Sequence, residues 1–136
     1  MGKITLWENT DFNGQTVEIE GGYITLTGWQ DKSASSIKIE GFKSTDCNAF
    51  YESSGDDGSD QLYTEGNGAF ANLHVITRPH GNNHWGDRIS QVCVGKIPMG
   101  DKQNQTIFNC NNKTYSNGTK NIATLDEKNP GWPNNS

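Results

Sequence analysis

The chain has 136 residues and 15.0 kDa, the length of one domain or of one domain with a tail. Only 31% of residues are hydrophobic, yet 10% are aromatic and the net charge is −5, which describes a thin-cored, turn-rich globular chain and not a disordered one. A pI near 5.0 argues against nucleic acid as a main partner, and no apolar run approaches the roughly 18 residues that cross a bilayer.

In chain order, Met1-Gly2-Lys3 leads straight into a strand-like run, with no apolar signal segment. Lys3-Ile4-Thr5-Leu6-Trp7 alternates polar and apolar residues, as a half-buried strand does. Thr16 to Glu20, Tyr23 to Leu26 and Ser36 to Glu40 repeat the pattern, with Gly21-Gly22 and Gly41 as stops. Four short runs in about forty residues have the spacing of a β-sandwich or barrel. No window keeps a 3.6-residue period, so no long helix is expected.

The second stretch repeats the plan. Ala49-Phe50-Tyr51-Glu52 resembles Thr5-Leu6-Trp7-Glu8, and Ser90 to Val94 resembles Ser35 to Ile39. Leu62-Tyr63 and Leu73-His74-Val75-Ile76 supply its middle strands. Trp7 aligns with Tyr51 at a shift of 44 and Ser35 with Ser90 at a shift of 55, so the second copy carries 11 extra residues. The acidic Gly/Ser run 53–60 is a natural place for part of them. Strands are thus expected near 3–7, 15–20, 35–40, 48–52, 72–77 and 90–95, packed as two sheets of similar units. Residues 98–136 are rich in Asn and Lys. They read as a polar C-terminal extension on a domain spanning 1–97, with a weak hairpin around Asn111-Asn112 and with Phe108, Tyr115 and Trp132 as anchors.

Two local patterns carry a resemblance. Trp7-Glu8-Asn9-Thr10-Asp11-Phe12-Asn13-Gly14 is an aromatic-x4-Phe-x-Gly corner, in which the glycine permits a hairpin to fold over. Asp31-Lys32-Ser33-Ala34-Ser35-Ser36 is a polar loop entering a strand. Together they resemble a Greek-key unit of the βγ-crystallin superfamily, whose signature joins that corner to an Asn/Asp-Asn/Asp-x-x-Ser/Thr-Ser loop. Gly86-Asp87-Arg88-Ile89-Ser90-Gln91 resembles the loop again, with Trp85 before it, although no clear Phe-x-Gly corner follows Tyr51. The resemblance covers about two thirds of the chain. It implies an all-β, βγ-crystallin-like sandwich of two Greek-key motifs, at about 2–43 and 46–97.

It also implies calcium, a cation that takes six to eight hard oxygen ligands. In the family each site takes a carbonyl after the corner aromatic, a carbonyl and a hydroxyl from its own loop, and a side chain from the other loop. Carried over, the first site uses the carbonyls of Glu8 and Ser33, the Ser35 hydroxyl and the Asp87 carboxylate. The second uses the carbonyls of Glu52 and Arg88 and the Ser90 hydroxyl. Its cross-loop residue is Lys32, an ammonium with no acceptor, so the second site is expected to be weakened.

Other candidates read less sharply. Asp56, Asp57 and Asp60 lack the remaining ligands of an EF-hand and read as a solvated acidic loop. His74, His80 and His84 read as polar loop or strand residues, because Pro79 and Gly81 forbid the helix that would align them. Cys47, Cys93 and Cys110 lack zinc spacing, and one disulfide among them is expected if the protein is secreted. Sequons at Asn104, Asn112 and Asn117 tilt the reading towards secretion, although chance yields such triplets in an Asn-rich chain. No catalytic motif is present. The expectation is a monomeric, non-enzymatic calcium-binding protein of structural or stress-related role, its protein partner unidentified. A secreted protease inhibitor or toxin acting through 53–60 is one alternative. A carbohydrate-binding module stacking sugars on Trp7, Trp29, Trp85 or Trp132 is the other.

Overall fold

The structure, a computed structural model, describes residues 2–52, 60–79, 84–100, 102–112, 114–118, 120–122 and 133–134. Twelve strands stand among them: β1 (Lys3–Asn9), β2 (Asn13–Ile19), β3 (Tyr23–Thr25), β4 (Ser36–Glu40), β5 (Cys47–Tyr51), β6 (Gln61–Glu65), β7 (Gly68–Phe70), β8 (Gln91–Val94), β9 (Gln105–Asn109), β10 (Thr114–Asn117), β11 (Lys120–Ile122) and β12 (Pro133–Asn134). Helical backbone among the described residues is confined to four three-residue 3-10 turns.

The strands form two sheets, ordered β12-β7-β4-β1-β2 and β11-β10-β9-β6-β5-β8-β3. Each Greek key lends its third strand to the other sheet. Thus β3 leaves β1, β2 and β4 to pair with β8, while β7 leaves β5, β6 and β8 to pair with β4. Alternation and register together build the core. Leu6, Ile37 and Phe70 lie opposite one another across the first sheet. Val92, Phe50 and Leu62 form the corresponding row of the second, with Ile24 at its exposed edge. Phe70 and Phe108 meet edge to face at 5.2 Å between the sheets, a favoured geometry for aromatic rings.

The expected all-β sandwich of two Greek keys is therefore what forms, and five of the six expected strand positions fall where alternation placed them. The stretch 72–77 is the exception: Leu73–Val75 is a 3-10 turn. Its backbone groups go to loops instead of a ladder, with Leu73 N–H donating to Ser35 O and Gly86 N–H to Leu73 O. The Asn72 side chain accepts from His74 N–H at 2.9 Å. The third strand of this unit is Gly68–Phe70, too short and too poor in β-branched residues to stand out in the sequence.

The extra residues of the second unit also lie elsewhere than expected. Leu6 pairs with Val17 and Phe50 with Leu62, so the 53–60 hairpin is only one residue longer than its counterpart. Leu26 N–H donates to Ser90 O as Leu73 N–H donates to Ser35 O, which makes the two leucines equivalent at a shift of 47. Eight of the extra residues therefore fall between Leu73 and Ser90, against a shift of 55 at Ser35 and Ser90.

Beyond residue 97 the chain continues both sheets. β9 runs parallel to β6, β10 returns antiparallel with Tyr115 opposite Phe108, and β12 borders β7. Phe108 is buried in the main core and Tyr115 stacks on it at 4.8 Å, whereas Trp132 lies outside the described residues. No disulfide joins the cysteines, all of which are buried. Cys93 sits with Ala49, Tyr51 and Tyr63 in a small second cluster, Cys110 points into the main core, and β6 separates the strands of Cys47 and Cys110. No helix among the described residues is long and apolar enough to cross a membrane.

Candidate metal centre

The hairpin corner is the first piece of the site. Asp11 and Phe12 both adopt left-handed backbone, with φ of 58° and 60°, and Gly14 follows at 90°. Ser36 holds the corner by accepting from Phe12 N–H at 3.1 Å and donating to Asn9 O at 2.7 Å. Trp7 packs edge-on against Phe12 at 5.1 Å. A Cβ on Gly14 would lie 2.7 Å from the Asn9 amide, so the glycine is required by close approach as well as by φ. The corner glycine and the serine that ends the loop signature thus belong to one device.

The two loops then clasp each other about a pseudo-twofold arrangement. Ser35 N–H donates to Trp7 O at 2.9 Å, as Ser90 N–H does to Tyr51 O at 2.8 Å. Asp87 N–H donates to Ala34 O at 3.0 Å, as Lys32 N–H does to Ile89 O at 2.9 Å. Lys32 and Asp87 are equivalent and share the same left-handed backbone, φ 56° and 60°. Neither residue is glycine, so each conformation is held by the clasp at some local cost.

Around the first loop an open, polar pocket is lined by Glu8, Asn9, Thr10, Lys32, Ser33, Ser35, His74 and Asp87. The four residues carried over for the first site, Glu8, Ser33, Ser35 and Asp87, are all there. Ser35 Oγ donates to Asp87 Oδ1 at 3.3 Å, and His74 Nε2 lies 3.0 Å from Ser35 Oγ. The serine has one hydrogen, so with that hydrogen on Asp87 the imidazole must donate to it. This is no catalytic relay, in which the carboxylate orients the histidine and the histidine takes the serine proton. Here carboxylate and imidazole both converge on the serine. The side-chain donors suit a hard divalent cation: an anionic oxygen and a hydroxyl. Lys32 is the discordant member, because its exposed ammonium opposes a cation.

The second loop is built differently. Ser90 Oγ donates to Asp31 Oδ1 at 2.6 Å, so the side chain that reaches it from the other loop is Asp31, while Lys32 lines the first pocket. Glu52 is tied to Arg78, whose guanidinium also donates to Asp60 at 3.3 Å. Arg78 and Asp60 are 8% and 3% exposed. Asp60 therefore departs from the expected solvated acidic loop, since a buried carboxylate is tolerable beside a buried cation. Asp56 and Asp57 lie outside the described residues. Arg88 is half-buried next to this loop.

Three features escaped the sequence. His74 belongs to the first pocket because Leu73 is the repeat-mate of Leu26, a match that needs the register. Arg78 comes from the eight-residue insertion and had no counterpart to compare with. His84 also folds against His74, with ring centroids 4.7 Å apart, and His80 lies outside the described residues. Among the described residues no three His, Cys, Asp or Glu side chains converge. Of the tryptophans, Trp85 is fully buried, its Nε1–H donating to Thr106 Oγ1 at 3.1 Å, which removes it as a sugar platform; Trp7 and Trp29 are half-buried.

No protein-family profile matches the chain, and no curated protein does. Among solved structures the chain is similar to the N-terminal domain of protein S, with 23% identity over 71% of this chain and 99% of that one and a TM-score of 0.49. It is also similar to a βγ-crystallin from Ciona intestinalis, with 21% identity over 68% of this chain and 98% of that one and a TM-score of 0.47.

Proposed function

We propose that the chain is a βγ-crystallin-type, non-enzymatic calcium-binding protein in which the first loop pair is the working site. One observation carries the reading: Ser35 and Asp87, from opposite Greek keys, meet at 3.3 Å in a pocket that Glu8 and Ser33 also line. Asp87 would supply the anionic oxygen, Ser35 its hydroxyl, and Glu8 and Ser33 their carbonyls. The bound ion would supply only charge, drawing the two loops together.

The role that follows is stabilisation. An ion held by both Greek keys binds the folded chain and not the unfolded one, so it adds RT ln(1 + [Ca2+]/Kd), about 2.7 kcal/mol at a hundred times Kd. Thermal melting with and without calcium tests this. The melting temperature should rise with calcium in the native chain and stay fixed in Asp87→Ala. An equal rise in both would refute the site, and no rise at millimolar calcium would refute the function.

A further inference from the structure

We propose that the first pocket also accepts a borderline transition ion of the Zn2+ type, in competition with calcium, through His74 Nε2 and Asp87. The inference rests on the pocket being a metal site, but its deciding ligand is one that calcium does not use. Calcium selects oxygen donors, whereas neutral imidazole suits zinc, nickel and copper.

His74 is placed for this by several independent restraints. Its Nε2 lies 3.0 Å from Ser35 Oγ, the hydroxyl that also contacts Asp87. Its backbone N–H is fixed by Asn72 Oδ1 at 2.9 Å. Its ring lies directly over Gly86, where an added Cβ would fall 2.4 Å from the ring atoms. His84 packs on it with centroids 4.7 Å apart. The ring therefore presents Nε2 to the pocket with little freedom to turn, the pre-organisation a ligand needs. Binding through Nε2 needs the tautomer protonated on Nδ1, so the proton moves from Nε2 to Nδ1 by way of solvent and the ring stays neutral. With only His74 and Asp87 as strong side-chain donors, the other positions fall to the Ser35 hydroxyl, carbonyls or water. Affinity should then be moderate and the coordination open.

Calorimetry with zinc chloride and, separately, calcium chloride tests the proposal on the full chain and on His74→Gln, Asp87→Asn and His84→Gln. Zinc should bind once per chain. His74→Gln should lose at least about tenfold in zinc affinity while keeping calcium, Asp87→Asn should weaken both ions, and His84→Gln, which removes only a packing restraint, should weaken zinc less than His74→Gln does. Nitrogen NMR of the imidazoles in the native chain gives a readout that needs no variant: His74 Nε2 should shift with zinc and not with calcium. Zinc affinity equal in the native chain and His74→Gln, loss confined to His84→Gln, or no zinc binding at millimolar metal would each overturn the proposal. Zinc binding that depends on His74 in a chain indifferent to calcium would sustain it and refute the calcium reading instead.

Discussion

The two loop pairs share one backbone clasp and differ in what their carboxylates do. Around Ser35 the acids are left available: Asp87 is exposed, Glu8 is half-exposed, and no ion pair among the described residues engages either. Around Ser90 they are consumed. Asp31 accepts from the Ser90 hydroxyl at 2.6 Å, a closer contact than the 3.3 Å between Ser35 and Asp87, and Glu52 with Asp60 is taken by Arg78. A repeat can thus preserve a fold while one copy leaves its carboxylates out of the ion pairs found among the described residues and the other ties them to an arginine of its own. Each loop pair has a basic neighbour, but the two are unequal. Lys32 is exposed on a flexible stem and can swing aside, whereas Arg78 is fixed by two partners and buried.

The largest expected effect comes from breaking the closed half. Arg78→Ala leaves Asp60 buried and uncompensated beside Glu52, and urea unfolding should show a loss of about 3–5 kcal/mol. A loss below about 1 kcal/mol, the range of an exposed pair, would mean the cluster is solvated and the two halves are not distinct in this way. Next comes the open half. Asp87→Ala should change stability little without calcium and remove the about 2.7 kcal/mol that saturating calcium adds. Asp31→Ala, which removes the acceptor of the Ser90 hydroxyl, should cost about 1 kcal/mol with or without calcium, the value of one hydrogen bond.

Lys32→Asp sharpens the comparison further. If Lys32 served the second loop, this change would create a second site there. Lys32 also lines the first pocket, so removing its ammonium should tighten the first site as well. A second equivalent in calorimetry would place Lys32 with Ser90 after all.

The fold was readable where alternation was clean. Ile4 and Leu6, Ile37 and Ile39 mark the core face of β1 and β4 by sequence alone, and burial agrees. It was unreadable where a strand had three residues, as in Gly68–Phe70, or where an apolar run, Leu73 to Ile76, spent its backbone bonds on another loop. In the site, Ser35 and Asp87 were legible because the signature fixes them. Asp31 was not singled out, because the signature gives the cross-loop role to its neighbour Lys32, whereas the Ser90 hydroxyl donates to Asp31 Oδ1. Arg78 and Asp60 were illegible because their pairing spans the insertion.

A smaller effect should appear at high pH. Burial, reinforced by Glu65, pushes the Cys110 thiol up to about 12, and burial also raises Tyr115. Both groups resist ionising in the folded chain, so their contribution is complete below the unfolded values near 9.0 and 10.0 and is lost as pH rises towards the folded ones. Stability should decline gradually above pH 9.0, less steeply in Cys110→Ala once its lower baseline is subtracted. A flat profile to pH 11 would contradict it.

The comparison turns on how many calcium ions the folded chain holds, and isothermal calorimetry of the native chain beside Asp87→Ala and Asp31→Ala measures that number directly. The account predicts one ion per native chain, none in Asp87→Ala, and one still in Asp31→Ala. Two equivalent ions in the native chain, or binding that survives Asp87→Ala and vanishes in Asp31→Ala, would contradict it.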